Sequence, residues 1–226
     1  MTNTTRARKI LKDCGAFKDG GHFVYSSGLH GDFYINKDAL YTYPRKMDDI
    51  CVMMTECASS VYGSSFDTIL APAISGVVIG QNIAYNLSIE EQLDFRFAYA
   101  DKHPSNPYIR IIRRGYQSVI ANKRVLLVDD VVTTGRTLIG MAQAVNALGG
   151  TVVGAVVICD RGTVRTLKYD IDTEPTPNYR QPLTLNITPL VELDLKTFKP
   201  EVCPFCKAGR PIDVDLGSGY ISAEVL

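Results

Sequence analysis

Between Arg124 and Leu138 the chain reads RVLLVDDVVTTGRTL, and few folds accommodate such a run. Val125, Leu126, Leu127 and Val128 are an unbroken apolar stretch, the pattern of a strand buried on both faces of a parallel sheet. Asp129 and Asp130 follow where that strand is expected to end. Thr133, Thr134, Gly135, Arg136 and Thr137 then lead into Leu138, Met141, Ala142, Val145 and Leu148, which keep the spacing of a helix stripe. Ligands of open α/β sheets bind at the carboxyl ends of the strands, where paired carboxylates can accept hydrogen bonds from a sugar diol. The helix that follows offers the N–H groups of its first turn, and its positive end, to a phosphate. Gly135 permits the tight backbone such a cradle needs. A phosphorylated sugar is the ligand these residues suit.

The rest of the chain repeats the rhythm. A helix is expected from about Thr5 to Cys14, then a hairpin of His22 to Tyr25 and Phe33 to Asn36 outside the main sheet. Pro44 suits the first turn of a helix carrying Met47, Ile50, Cys51, Met54, Ala58 and Val61. Strands are expected at Thr68 to Ala71, Phe95 to Tyr99 and Thr151 to Cys159, with a helix from Val77 to Leu87. The segment ADKHPSNPY reads as a polar connection before a short extended IRIIR, and Arg165 to Pro182 reads as a loop before a last strand, Leu183 to Leu193. Alternating β and α units imply an α/β fold with a parallel, three-layer sheet. One domain is expected over 1–226: helix and hairpin in 1–45, the α/β core in 46–195 and a tail in 196–226.

Composition narrows the partners. Lys plus Arg and Asp plus Glu both number 24, so no global field draws in nucleic acid or an anionic membrane. No apolar stretch approaches the roughly 20 residues that span a bilayer, and no signal-peptide core follows the basic N-terminus. A cytoplasmic protein acting on a small molecule is expected. The six cysteines are scattered in a chain large enough to need no staples, and read as reduced thiols.

The run from the strand through DD and TTGRT into a helix resembles the phosphoribosyl-pyrophosphate (PRPP) signature of the type I phosphoribosyltransferases. A second small-residue loop, APAISG at Ala71 to Gly76, corresponds to the family's pyrophosphate loop through Ala73, Ile74, Ser75 and Gly76. With GHFVYSSGLHGDFYIN, CDRG at Cys159 to Gly162 and the tail PEVCPFCKAGRPI, the chain resembles the orotate-accepting branch over almost its full length. The resemblance implies an N-terminal hood over the base, and the transfer of a 5-phosphoribosyl group from PRPP to orotate with release of pyrophosphate. It assigns Asp129, Asp130, Val131, Val132, Thr133, Thr134, Gly135, Arg136 and Thr137 to PRPP. It assigns Thr133, Arg161, Ser26, Phe33 and Tyr34 to orotate, whose carboxylate and carbonyls a guanidinium can grip.

The family's basic catalytic loop is represented by Asp101, Lys102, His103, Arg110, Arg113 and Arg114, of which Lys102, His103, Arg113 and Arg114 are expected to act with the acid pair. Ser26 and Ser75 stand where many relatives carry lysine. Mg²⁺ is the expected cofactor, held through PRPP with Asp129 and Asp130 as possible contacts, and a two-fold homodimer is implied. Cys203-Pro-Phe-Cys206 is half a zinc motif, but His22, His30 and His103 lie far upstream, so no metal held directly by the protein is expected there. A phosphoribosyltransferase for another base, and a PRPP-binding regulator without chemistry, remain open alternatives.

Overall fold

The computed structural model describes residues 1–25, 28–63, 65–161, 165–172, 180–193 and 195–216. They divide into two units, one of residues 1–47 with 194–226 and one of residues 48–193.

The first unit opens with α1 (Asn3–Asp13), whose N-cap hydroxyl on Thr2 accepts from the Thr5 N–H at 3.3 Å and which buries Ala7 and Leu11. A cap of this kind satisfies a donor that helix geometry leaves without a carbonyl. β1 (Phe17–Val24) and β2 (His30–Ile35) pair antiparallel as a separate two-stranded sheet. The hairpin is therefore outside the main sheet, as expected, with longer strands than the apolar residues suggest. A short helix α2 (Lys37–Tyr41) precedes α3 (Pro44–Tyr62), which starts at the predicted proline.

The second unit runs β3 (Thr68–Pro72), α4 (Ser75–Glu91), β4 (Arg96–His103), β5 (Asn106–Ile112), α5 (Gln117–Ile120), β6 (Arg124–Val132), α6 (Arg136–Ala147), β7 (Thr151–Asp160), β8 (Thr166–Asp172) and β9 (Arg180–Glu192). Its seven-stranded sheet has the order β5-β4-β3-β6-β7-β9-β8. The five inner strands are parallel, and β5 and β8 join antiparallel at the two edges. Both sheet faces are covered, which makes the three layers. Leu70, Val125, Leu127, Ala155 and Val157 pack with Leu138, Met141, Ala142 and Val145 of α6. On the other face α4 lies so close that a Cβ on Gly80 would stand 2.6 Å from the Phe97 ring and 3.0 Å from Ala71. On that face too, the Tyr62 hydroxyl of α3 reaches the Thr188 hydroxyl at 3.1 Å.

Three expectations need correction. ADKHPSNPY is not a loop: β4 and β5 continue through it as a hairpin that turns at Pro104 and Ser105. Arg165 to Pro182 is not one loop either, since β8 lies within it and β9 begins at Arg180. In β8, Leu167 is half-buried and Tyr169 buried while Thr166, Lys168 and Asp170 face solvent, so an edge strand with charged outward residues reads as polar connection. Finally, β6 runs on through the acid pair to Val132.

A short segment pairs with β2 through Phe198, and a turn at Pro200–Val202 leads into the single helical turn α7 (Pro204–Lys207). No helix among the described residues is long and apolar enough to cross a membrane.

Candidate active site

Parallel register brings the carboxyl ends of β3, β6 and β7 to one edge. Leu70 pairs with Leu127, and Val132 with Asp160, so the Ala73–Gly76 loop, the 129–137 run and Asp160 with Arg161 are neighbours there. The Arg161 N–H donates to the Val132 carbonyl at 3.0 Å.

Asp129 and Asp130 are both buried. Because β6 continues through them, successive side chains leave on opposite faces: Asp129 shares the α6 face with Leu127, and Asp130 the α4 face with Val128. Each carboxylate is fixed by the backbone. Asp129 Oδ1 accepts from the Asp130 N–H at 2.8 Å, and Asp130 Oδ1 from the Val131 N–H at 2.6 Å. Each carboxylate offers the hard oxygen that Mg²⁺ prefers, and because the two leave on opposite faces either one would meet the ion singly, with waters and substrate oxygens filling its shell.

Past Val132 the chain exposes Thr133 and Thr134, then turns at Gly135, which has φ 72° and caps α6. A side chain there would be strained by the left-handed backbone and would meet Leu167. The first turn of α6, with Arg136 exposed and Thr137 half-buried, then directs its N–H groups outward. After β3, Ile74 is 88% exposed in the turn, while Ser75, half-buried, and Gly76, buried, already open α4. Gly76 is a close approach, since a Cβ would stand 2.5 Å from Pro72 Cδ.

The basic residues separate by height on the β4–β5 hairpin. Ala100 pairs with Pro72, the last residue of β3, so Lys102 and His103 stand past the strand edge and Arg113 and Arg114 below it. Lys102 is the register partner of Arg110, which places both on one face. His103 Nδ1 accepts the Ser105 N–H at 3.1 Å and so closes the hairpin turn. Arg114 rests at the base, its Nε 3.7 Å from Asp101 Oδ2 and its guanidinium 5.7 Å from the Tyr99 ring centroid. Arg113 is exposed.

Sequence reasoning missed the weight of Arg110. It is buried, its Nη2 donates to Thr137 Oγ1 at 3.1 Å, and burial pushes its pKa down while the Asp129 carboxylate opposes that shift. A charged residue sharing a strand face with the apolar Ile112 was the available signal. Asp160, also buried beside Arg161, was missed as well.

Of the residues assigned to a base, Arg161 is half-buried at this edge and Thr133 is exposed there. Ser26 lies outside the described residues. Phe33 and Tyr34 belong to the hairpin unit, where Phe33 meets Phe17 edge-on at 5.2 Å and Tyr34 packs on Phe23 at 5.5 Å. A cavity of about 600 Å³ lies at the opposite, amino-terminal edge of the strands, lined by residues such as Asp67, Thr68, Phe95 and Lys123.

Comparison with known proteins agrees with this geometry. A model of the phosphoribosyl transferase domain matches residues 36–182. The chain is 30% identical over 213 residues to the orotate phosphoribosyltransferase of Chlorobaculum parvum, covering 94% of this chain and 95% of that one. It is also 30% identical over 192 residues to the enzyme of the same name from Caldanaerobacter subterraneus, covering 85% and 86%. Among solved structures, orotate phosphoribosyltransferase from Mycobacterium tuberculosis superposes with a TM-score of 0.58 at 18% identity, over 84% of this chain and 96% of that one. The Aeropyrum pernix protein does so with a TM-score of 0.56 at 21% identity, over 82% and 92%. At these identities the structures speak for the fold alone.

Proposed function

The chain belongs to the phosphoribosyl transferase domain family, and on that premise we propose that it transfers the 5-phosphoribosyl group of PRPP to orotate. The products are orotidine 5′-monophosphate and pyrophosphate, in pyrimidine biosynthesis. The observation that carries the reading is the meeting, at one strand edge, of the buried acid pair, the Gly135 turn and the Ala73–Gly76 loop. Relatives named for the same reaction, matched over most of their length, support the choice of acceptor.

Asp129 and Asp130 accept from the ribose hydroxyls and stabilise positive charge as it develops on the ring. Residues Thr133 to Thr137 receive the 5-phosphate on backbone N–H groups. The Thr137 hydroxyl, already accepting from Arg110, keeps its proton for that phosphate. The loop Ala73 to Gly76 receives the pyrophosphate, whose leaving oxygens gain negative charge as the C1–O bond stretches. Lys102, past the strand edge, supplies positive charge there, and Arg161 grips the orotate carboxylate. Asp129 or Asp130 would contact a Mg²⁺ brought in with PRPP, which would supply charge neutralisation at the phosphates. Orotate is already anionic, so positioning does most of the work. A cytoplasmic homodimer is part of the proposal, and the cysteines, free among the described residues, agree with a reducing compartment.

The test is direct. With Mg²⁺ and PRPP, the purified chain consumes the orotate ultraviolet band and leaves uracil, adenine and hypoxanthine untouched. Persistence of the orotate band beside an active control enzyme overturns the assignment.

A further inference from the structure

The fold corrects one expectation drawn from spacing. His22 and His30, far upstream of Cys203 and Cys206, are not far in space: one donor atom from each of the four residues falls within 4.8 Å of every other. His22 Nε2 lies 2.9 Å from His30 Nδ1, while Cys206 Sγ lies 3.3 Å from His30 Nδ1 and 3.6 Å from His22 Nε2. Cys203 Sγ lies 3.7 Å from His22 Nε2. Zinc bonds of about 2.3 Å to sulfur and about 2.05 Å to nitrogen give a tetrahedron with edges of about 3.4 Å for N···N and about 3.6 Å for N···S. The four distances above match those edges to within about half an ångström, and the remaining pairs lie within 4.8 Å. From this convergence we infer that His22 Nε2, His30 Nδ1, Cys203 Sγ and Cys206 Sγ form a structural zinc site joining the C-terminal tail to the N-terminal hairpin.

A second observation is independent of those distances. His22 Nδ1 lies 2.8 Å from the carbonyl oxygen of Arg210. A carbonyl can only accept, so Nδ1 carries the proton and Nε2 turns its lone pair toward the cluster. Metal-bound histidines are oriented by such an outer hydrogen bond. The carbonyl belongs to the tail, so the tail both supplies the thiols and sets the tautomer. Three of the four donor residues are buried and only Cys206 is exposed. The rings of Phe198 and Phe205, 5.9 Å apart, border the site, with Phe205 5.7 Å from His22.

The site also answers a need of the unit. Two-stranded hairpins are marginal alone, and this one packs against an irregular tail. Backbone bonds stitch the two: the Phe198 and His30 amides exchange bonds with each other's carbonyls at 2.9 and 2.8 Å, and the Asp213 amide donates to His22 at 2.8 Å. Arg210 Nη1 donates to the Gly20 and Gly21 carbonyls at 3.1 and 3.0 Å. A metal held by residues 181 positions apart closes a long loop, where a cross-link removes most entropy from the unfolded chain.

Elemental analysis of the full chain, produced in zinc-supplemented medium and purified without chelator, tests the site. About one zinc per chain is expected from this four-donor cluster. Exchange with Co²⁺ gives the intense visible bands of tetrahedral cobalt and a thiolate charge-transfer band in the near ultraviolet. Cys206→Ser and His30→Gln each lower retained metal by at least about tenfold. Because variants can fail to fold, the wild-type measurements decide. Zinc far below stoichiometric with no cobalt bands overturns the site, as does an intact mass two hydrogens light from a Cys203–Cys206 disulfide.

Discussion

Arg110 Nη2 donates to the Thr137 hydroxyl across 3.1 Å, tying β5 at the sheet edge to the first turn of α6. The same guanidinium is buried and within the field of Asp129. One cation thus positions a hydroxyl of the phosphate turn and balances a carboxylate of the acid pair.

Arg110→Ala removes both functions and leaves Asp129 buried with less compensation. A loss of about 2–3 kcal/mol in urea denaturation is expected, with a fall in kcat/KM for PRPP of at least about tenfold. Arg110→Lys keeps the charge without the planar fork and should fall between. Wild-type stability in the alanine variant would remove Arg110 from this account.

Asp130→Asn preserves volume and loses charge. Electrostatic stabilisation of a cationic ring predicts turnover at least about a hundredfold lower. The melting temperature should change little, since the amide oxygen still accepts from the Val131 N–H. Steady-state rates with saturating PRPP and a thermal melt separate the two effects.

Much of the fold was legible because its signals are local. The Val125–Val128 run, Pro44 and the stripe Leu138–Met141–Val145 each report their own element within a few residues. Edge strands are different. β8 carries Lys168 and Asp170 outward, and β5 begins with the Asn106-Pro107 pair, which an edge tolerates because its outer side forms no ladder. Their strand character comes from neighbours that sequence spacing does not reveal. The site divides the same way. Asp129 to Thr137 is one continuous segment and could be read directly, whereas Arg110 matters through the curl of β5 onto α6. The histidine–cysteine cluster depends on a tail that returns to the hairpin, and separation along the chain carries no information about that return.

Gly135→Ala tests the turn. The residue sits at φ 72°, and an added Cβ would run into the Leu167 side chain. The leucine end can swing aside, but the backbone cannot relax without moving the first turn of α6. A destabilisation of about 1–2 kcal/mol is expected. PRPP affinity measured by calorimetry should fall more steeply than stability. Unchanged affinity would show that the turn does not shape the phosphate site.

Asp67 gives a pH-dependent prediction. Its Oδ2 accepts from the Arg124 N–H at 3.0 Å and lies 3.5 Å from Arg124 Nε, pinning the entry of β6 beside β3. The backbone bond from Arg124 is the largest cause holding its pKa below the ordinary 3.8, and partial burial opposes it. A carboxyl depressed by folding stabilises the native state above its unfolded pKa, and that contribution fades as pH falls through the lower folded value. Both side chains are substantially exposed, so solvent keeps the effect small. Asp67→Ala should therefore lower the melting temperature by a constant, modest amount from pH 7 to about 5, and that difference should shrink below about pH 4. Melts across that range decide the matter: a gap that persists undiminished in acid would mean that packing, not the carboxylate, holds this end of the strand.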